Sequence, residues 1–142
     1  MKVVIGADHG GYDLKIHLVS KLEREGYQIE DLGCHSTDSV DYPDFAEQVC
    51  KRVLDSQDTL GILICGTGIG MSLAANRNYK IRAALCHDVY SAQMSREHNN
   101  ANILCLGARV IGKGHAESIV DTWLNSSFSG GRHQLRIEKY SK

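Results

Sequence analysis

The feature that most constrains the fold is an apolar strand pattern that leads directly into a glycine-rich turn. Residues 60–72 read LGILICGTGIGMS, with Cys65 at the end of the apolar run and glycines at positions 66, 68 and 70. The unbroken run Ile62–Ile64 is typical of a strand that is covered on both faces of a parallel sheet. A helical pattern resumes at Met71, so the order strand, glycine turn and helix predicts an α/β protein.

The glycine turn also predicts an anion site. Its backbone N–H groups would point to one place, and the start of the following helix adds positive potential there. The turn matches neither the dinucleotide fingerprint, because Met71 stands at the third glycine position, nor a P-loop, because no Gly-Lys-Ser/Thr follows. We interpret Cys65 as a reactive thiolate beside this site. The alternative is a packing role, since cysteine is among the most buried residue types.

Length, charge and cysteine usage narrow the class of protein. A chain of 142 residues is expected to form one domain. Sixteen Lys and Arg against seventeen Asp and Glu argue against nucleic acid or a membrane surface as the main partner. No stretch has the length and apolarity of a signal core or a membrane span. The five cysteines form no C-x-x-C pair, which favours a reduced, cytoplasmic protein.

Along the chain, strand and helix patterns alternate. Strands are predicted over residues 2–7, 27–32, 62–64, 81–86 and 102–106. Helices are predicted over residues 12–25, 43–56, from 71, over 88–98 and after 114. A polar joint at 126–131 precedes a C-terminal helical segment from about residue 132. The alternation predicts a Rossmann-like three-layer α/β/α domain with a five-stranded parallel sheet.

Ligands of such folds bind at the carboxyl ends of the strands, and polar residues follow four of the predicted strands. They are Asp8 and His9, the turn 65–70, residues 87–88, and Arg109. Each has an ordinary explanation as a turn, cap or solvated residue. Their shared position at strand ends instead indicates one converging site.

Two further groups carry possible chemistry. His98 and Asn99 end a predicted helix, where a histidine can also serve as a simple cap. Arg132 and Arg136 lie four residues apart and would face the same way on a helix. Two guanidinium groups commonly bind a phosphate together. The alternative is that both arginines are simply solvated. No spacing of His, Cys and acidic residues indicates a metal site.

These motifs together resemble the type B ribose-5-phosphate isomerases, which belong to a wider family with galactose-6-phosphate and allose-6-phosphate isomerases. The resemblance covers residues 4–11, 41–43, 64–70, 90–93, 96–99 and 130–134 in order. It implies a metal-independent aldose–ketose isomerase of the pentose phosphate pathway that interconverts ribose 5-phosphate and ribulose 5-phosphate through an enediolate. An isomerase of allose 6-phosphate or galactose 6-phosphate is the alternative. No cofactor is implied, and the family is dimeric or tetrameric with active sites at a subunit interface.

The resemblance also implies roles for individual residues. Cys65 is the base that moves a proton between C2 and C1, and His98 is the acid that opens the sugar ring. The substrate-binding residues it implies are Asp8, His9, Tyr42, Gly66, Thr67, Gly68, Ile69, Gly70, Asn99, Arg109, Arg132 and Arg136. Among them Asp8 and Thr67 handle sugar hydroxyls and belong to the catalytic set. Some relatives use a carboxylate base from the next helix, but residues 71–73 contain no acid.

Three other functions compete with this one. A nucleotide-binding module would bind nucleotide and turn over no sugar, and Met71 argues against it. A redox-sensing thiol protein would need a resolving cysteine near Cys65, and none is near in the sequence. A non-catalytic partner subunit of a galactose-type isomerase is disfavoured because both Cys65 and His98 are present.

Overall fold

The computed structural model describes residues Met1–Lys142, which form five strands and six α-helices. The strands are β1 (Lys2–Ala7), β2 (Gln28–Asp31), β3 (Thr59–Cys65), β4 (Ala83–Leu85) and β5 (Ile103–Gly107). The helices are α1 (Tyr12–Arg24), α2 (Tyr42–Asp55), α3 (Ile69–Ala75), α4 (Val89–Glu97), α5 (Lys113–Asn125) and α6 (Arg132–Tyr140). A single 3-10 turn, His9–Gly11, precedes α1. No helix is both long enough and apolar enough to span a membrane.

All five strands are parallel, in the order β2-β1-β3-β5-β4. The crossovers from β1 to β2 and from β4 to β5 run toward the β2 edge, whereas those from β2 to β3 and from β3 to β4 run the other way. Because such crossovers are right-handed, the two directions must place their helices on opposite faces. This explains why α1 and α4 lie on one face and α2 and α3 on the other.

The apolar core consists of one layer on each face of the sheet. Strand β5 shows the alternation directly, since Leu104 and Leu106 pack against α1, α4 and α5, whereas Ile103 and Cys105 pack against α2 and α3. The side chain of Trp123 on α5 is the largest that is fully buried. The predicted three-layer α/β/α fold with a five-stranded parallel sheet is therefore confirmed.

Several predicted boundaries differ from the structure. Strand β3 covers Thr59–Cys65 rather than residues 62–64. Strand β4 covers only Ala83–Leu85 rather than residues 81–86. Just before it, the amide of Arg82 donates to the side-chain oxygen of Asn102 (2.7 Å), and the amide of Ala83, its first residue, donates to that of Asn76 (2.8 Å). Helix α3 begins at Ile69 rather than at residue 71, because the left-handed Gly68 ends the turn two residues earlier. The C-terminal helix from residue 132 is confirmed.

Candidate active site

The sheet order places a topological switch point between β1 and β3. These strands are neighbours, but the chain leaves them toward opposite edges of the sheet, and ligands of open α/β sheets bind at such points. The loops after β1, β3 and β5 and the start of α2 all lie at this carboxyl edge. Together they form what we name the carboxyl-edge cluster: Asp8, His9, Tyr42, Cys65, Gly66, Thr67, Gly68, Ile69, Gly70 and Arg109.

Asp8 holds the loop that follows β1. Its carboxylate accepts hydrogen bonds from the amides of Gly10 (2.9 Å) and Gly11 (3.2 Å), and its own amide donates to the carbonyl of Ile64 (3.1 Å). A Cβ atom at Gly11 would lie 2.5 Å from that same carbonyl oxygen, so only glycine fits here. The loop is thereby fixed against the end of β3, next to Cys65.

Glycine is required in the turn after β3 for two reasons. Gly68 has a φ of +76°, a left-handed conformation that side chains disfavour. A Cβ atom there would also lie 2.5 Å from Leu85 and 2.9 Å from the backbone of Leu106. At Gly70 a Cβ atom would lie 2.7 Å from the ring of Tyr42. The turn is therefore packed between β4, β5 and the start of α2.

Cys65 lies at the base of this turn and is almost wholly buried. Its Sγ accepts a hydrogen bond from the amide of Gly68 at 3.1 Å. The amide of Ile69 donates to the hydroxyl of Thr67 at 3.2 Å, whereas the amides of Gly66, Thr67 and Gly70 have no partner within the chain. Free backbone donors beside a thiol can stabilise an oxyanion that forms next to it. The arrangement suits a base that removes a proton beside a carbonyl.

Three other thiols, on α2, after β4 and in β5, have a different environment. Burial raises the pKa of Cys50 and of Cys86 to about 11, and it raises that of Cys105 well above its usual value. These thiols therefore stay protonated near neutral pH. All five cysteines are free. Cys86 and Cys105 are buried core residues, as the sequence predicts.

Arg109 and His9 flank the glycine turn. A Cβ atom at Gly66 would lie 3.0 Å from Nη1 of Arg109, and one at Gly10 would lie 3.4 Å from Nη2. The guanidinium therefore lies between the loops that follow β1 and β3. His9 accepts the amide proton of Val40 at Nδ1 (3.2 Å), which leaves the ring proton on Nε2 as a donor. The Arg109 cation thus stands beside the free amides, and His9 offers an N–H donor from the loop after β1.

The remaining predicted residues lie elsewhere. We name His98, Asn99, Arg132 and Arg136 the amino-edge cluster, since α4 and α5 both run back from the carboxyl edge. Cys65 pairs with Gly107 at one end of β5, and the turn with His98 precedes Ile103 at the other. Gly107 and Ile103 are four residues apart in β5, and a strand rises about 3.3 Å per residue. Cys65 and His98 are therefore at least about 13 Å apart along the strand direction. Acid and base groups act on one substrate only within hydrogen-bond reach, so Cys65 and His98 of one chain do not meet.

The structure adds one residue that the sequence reasoning missed. The ring of His133 stacks on that of His98, with centroids 4.2 Å apart and an interplanar angle of 11°. Desolvation, His98 and the charges of Arg132 and Arg136 together lower the pKa of His133. His133 directly follows Arg132 in one of the motifs that carry the resemblance. This position is the one feature of the sequence that points to His133. The stack fixes α6 beside the end of α4.

No group of three or more His, Cys, Asp or Glu side chains converges in a way that could hold a metal ion. The groups available to bind an anion are backbone amides and the positively charged Arg109, Arg132 and Arg136. In chemical terms the chain offers a thiol with an oxyanion site at one edge and a cationic, histidine-bearing surface at the other.

Comparison with known proteins assigns the family. The model of the Ribose/Galactose Isomerase family matches residues 3–140. Ribose-5-phosphate isomerase B of Escherichia coli (strain K12) is 47% identical over 137 residues, covering 96% of this chain and 92% of that protein.

Comparison with solved structures leads to the same family. Ribose-5-phosphate isomerase B of Clostridium thermocellum superimposes with a TM-score of 0.97 at 53% identity, covering 99% of this chain and 95% of that one. The Mycoplasma genitalium enzyme with bound ribulose-5-phosphate has a TM-score of 0.94 at 42% identity, covering 97% of this chain and 92% of that one. With the fold, the glycine turn and the match over residues 3–140 taken together, this chain belongs to the ribose/galactose isomerase family.

Proposed function

We propose that this chain is a ribose-5-phosphate isomerase, a metal-independent enzyme of the pentose phosphate pathway that interconverts ribose 5-phosphate and ribulose 5-phosphate. The observation that carries the proposal is the Cys65 thiol beside the unpartnered amides of Gly66, Thr67 and Gly70. Family membership and the relatives with this activity support it.

The reaction removes a proton from C2 of the open-chain aldose and returns it to C1, while the hydroxyl proton on O2 passes to O1. In the proposal the Cys65 thiolate carries this proton, while the electrons of the C2–H bond form an enediolate. A positioned base contributes about 10²–10⁴ in rate. The free amides of the glycine turn stabilise the negative oxygen, and one such donor is worth about 3–4 kcal/mol in other enzymes. Asp8 and Thr67 hold sugar hydroxyls.

The substrate phosphate is assigned to positive and N–H donor groups. His9 and Arg109 stand beside the glycine turn, and Arg132 and Arg136 are exposed on α6. Planar guanidinium groups bind phosphate oxygens through two donors at once. The phosphate does not react, so its binding free energy serves to position C1 and C2 against Cys65. Tyr42 and Asn99 are assigned to the sugar.

We further propose that each active site combines the carboxyl-edge cluster of one chain with the amino-edge cluster of a second copy, in a homodimer or tetramer. The separation of Cys65 from His98 within one chain supports this, because both must touch one small substrate. Exposed apolar side chains around the glycine turn and β4 support a contact between chains. They are Ile69, Leu73, Leu85, Val89 and Tyr90.

The proposed isomerase domain extends over residues 1–142, and α6 is an integral part of it. We propose the cytoplasm as its location. Five free thiols fit a reducing compartment, and the substrates are intermediates of central carbohydrate metabolism.

The direct test measures kcat/KM for ribose 5-phosphate, allose 6-phosphate and galactose 6-phosphate side by side, in the presence of a chelator. The proposal expects the highest value for ribose 5-phosphate and no effect of the chelator. A higher value for either six-carbon substrate would assign the chain to the alternative. Turnover of none of the three would contradict isomerase function.

Replacing Arg136 by alanine is expected to raise KM for ribose 5-phosphate at least about tenfold, because one guanidinium fork on the phosphate is lost. Inhibition by inorganic phosphate should weaken in parallel. Lys139→Ala removes a positive charge from the same exposed helix and is the matched control, with KM expected to stay unchanged. Equal KM and equal phosphate inhibition in Arg136→Ala and the wild type would mark Arg136 as a solvated charge.

A further inference from the structure

The turn between α4 and β5, residues 98–102, is held in an unusual conformation. Asn100 within it is the only non-glycine residue with a positive φ, at 47°. Its amide donates to the carbonyl of Arg96 (3.2 Å), and the amide of Ala101 donates to that of Ser95 (2.9 Å). His98 and Asn99 stand at the start of this turn, so its conformation decides where both point.

Two arginines bind the carbonyl groups of this turn. Nε of Arg82, which precedes β4, donates to the carbonyl of Asn100 at 2.8 Å. Nη1 of Arg96 on α4 donates to the carbonyl of Ala101 and lies 3.5 Å from the side-chain oxygen of Asn100. The turn is thus tied to two separate elements by side chains that the mechanism does not use.

The electrostatic setting of these arginines is unfavourable for a purely structural pair. Both are partly buried, and no carboxylate lies within ion-pair distance of either. Desolvation lowers the pKa of both, and the charge of Arg82 lowers that of Arg96 further. Arg96 lies over the ring of Trp123 at 5.5 Å, and its Nε is buried without a partner. Partly burying two like charges costs free energy, and the hydrogen bonds to the turn are the interactions that offset this cost.

We propose that Arg82 and Arg96 are positioning residues, which fix the turn so that His98 and Asn99 project from the amino edge toward the substrate. A guanidinium suits this task because it is planar and keeps its donors in a fixed geometry, which a lysine does not. The proposal rests on the proposed function, in which His98 and Asn99 contact the sugar. The arginines themselves touch no substrate.

The test uses the full-length Arg82→Met protein with two readouts, kinetics with ribose 5-phosphate and the NMR ring signals of the histidines. We expect kcat/KM to fall about tenfold to a hundredfold, as small displacements of catalytic groups do elsewhere. The signals of His98 and its stacked neighbour His133 should shift, whereas those of His115 on α5 should not. Lys80→Met is the control, because the Lys80 side chain donates no hydrogen bond to the turn.

If Arg82→Met does not fold, Arg82→Lys gives the same comparison, since it keeps the charge and loses the planar donor. Activity within about twofold of the wild type would overturn the proposal, as would a loss of activity with unchanged His98 signals. Failure of the proposed function is separately visible. In that case the wild type would turn over no sugar phosphate, while the histidine signals would still report whether the turn moved.

Discussion

Cys65→Ala is expected to be folded and to lose at least about a hundredfold in kcat/KM for ribose 5-phosphate. The substitution removes the only group at the end of β3 that can carry the proton, and the residues that follow in α3 contain no acid to replace it. The free amides of the glycine turn remain, so binding of the substrate should change less than kcat. Kinetics with the purified variant, together with a urea unfolding curve, measure both effects.

Cys105→Ala provides the matched control. Like Cys65→Ala, it removes one sulfur atom from the core layer that contains both cysteines. Cys105 lies two residues before Gly107, the residue that pairs with Cys65. Burial keeps the Cys105 thiol protonated by raising its pKa, so it cannot accept a proton from the sugar. We expect a lower free energy of unfolding and a nearly unchanged rate. Near-normal turnover by folded Cys65→Ala would remove Cys65 from the mechanism.

Refolding Cys65→Ala together with His98→Ala is expected to restore activity that neither variant has alone. The expectation follows from the two clusters, which lie at opposite edges of one chain. In a mixed dimer one site receives an intact Cys65 from one chain and an intact His98 from the other, and the second site lacks both. With random pairing half the dimers are mixed, so about a quarter of the wild-type activity should return.

The matched control refolds Cys65→Ala with Cys65→Ser. Every site in that mixture lacks the thiol whichever way the chains pair, so no activity should return. A tag on one variant allows the mixed dimers to be isolated and counted. If mixed Cys65→Ala/His98→Ala dimers form and remain inactive, then Cys65 and His98 do not meet across a subunit contact, and the shared-site proposal is wrong.

Much of the fold follows from local patterns in the sequence. The apolar run at Ile62–Ile64 and the glycines after Cys65 are determined by neighbours in the chain, because burial on both faces and the left-handed Gly68 each leave a local mark. The same holds for the helices and for the convergence of Asp8, Cys65 and Arg109 at one edge. That convergence needs only the rule that parallel strands end together.

Other features of the structure depend on contacts between side chains that are distant in sequence. Strand β4 begins at Ala83 rather than at residue 81, and the amide of Arg82 just before it donates to the side chain of Asn102 rather than to a backbone carbonyl. The stack of His133 on His98 joins two helices separated by a whole strand and by α5, and the binding of Arg82 to Asn100 joins elements 18 residues apart. The periodicity of apolar residues along the chain does not predict such long-range side-chain contacts.

Local patterns in the chain therefore specify the type of each main element, the glycine turn and the edge at which Cys65 lies. Only the tertiary structure decided the strand order β2-β1-β3-β5-β4 and, with it, the distance between Cys65 and His98. The physical reason is that strand identity arises from the burial of a few adjacent residues, whereas strand order arises from the packing of whole layers. Many orders satisfy the same local pattern, and one of them buries both faces of this sheet.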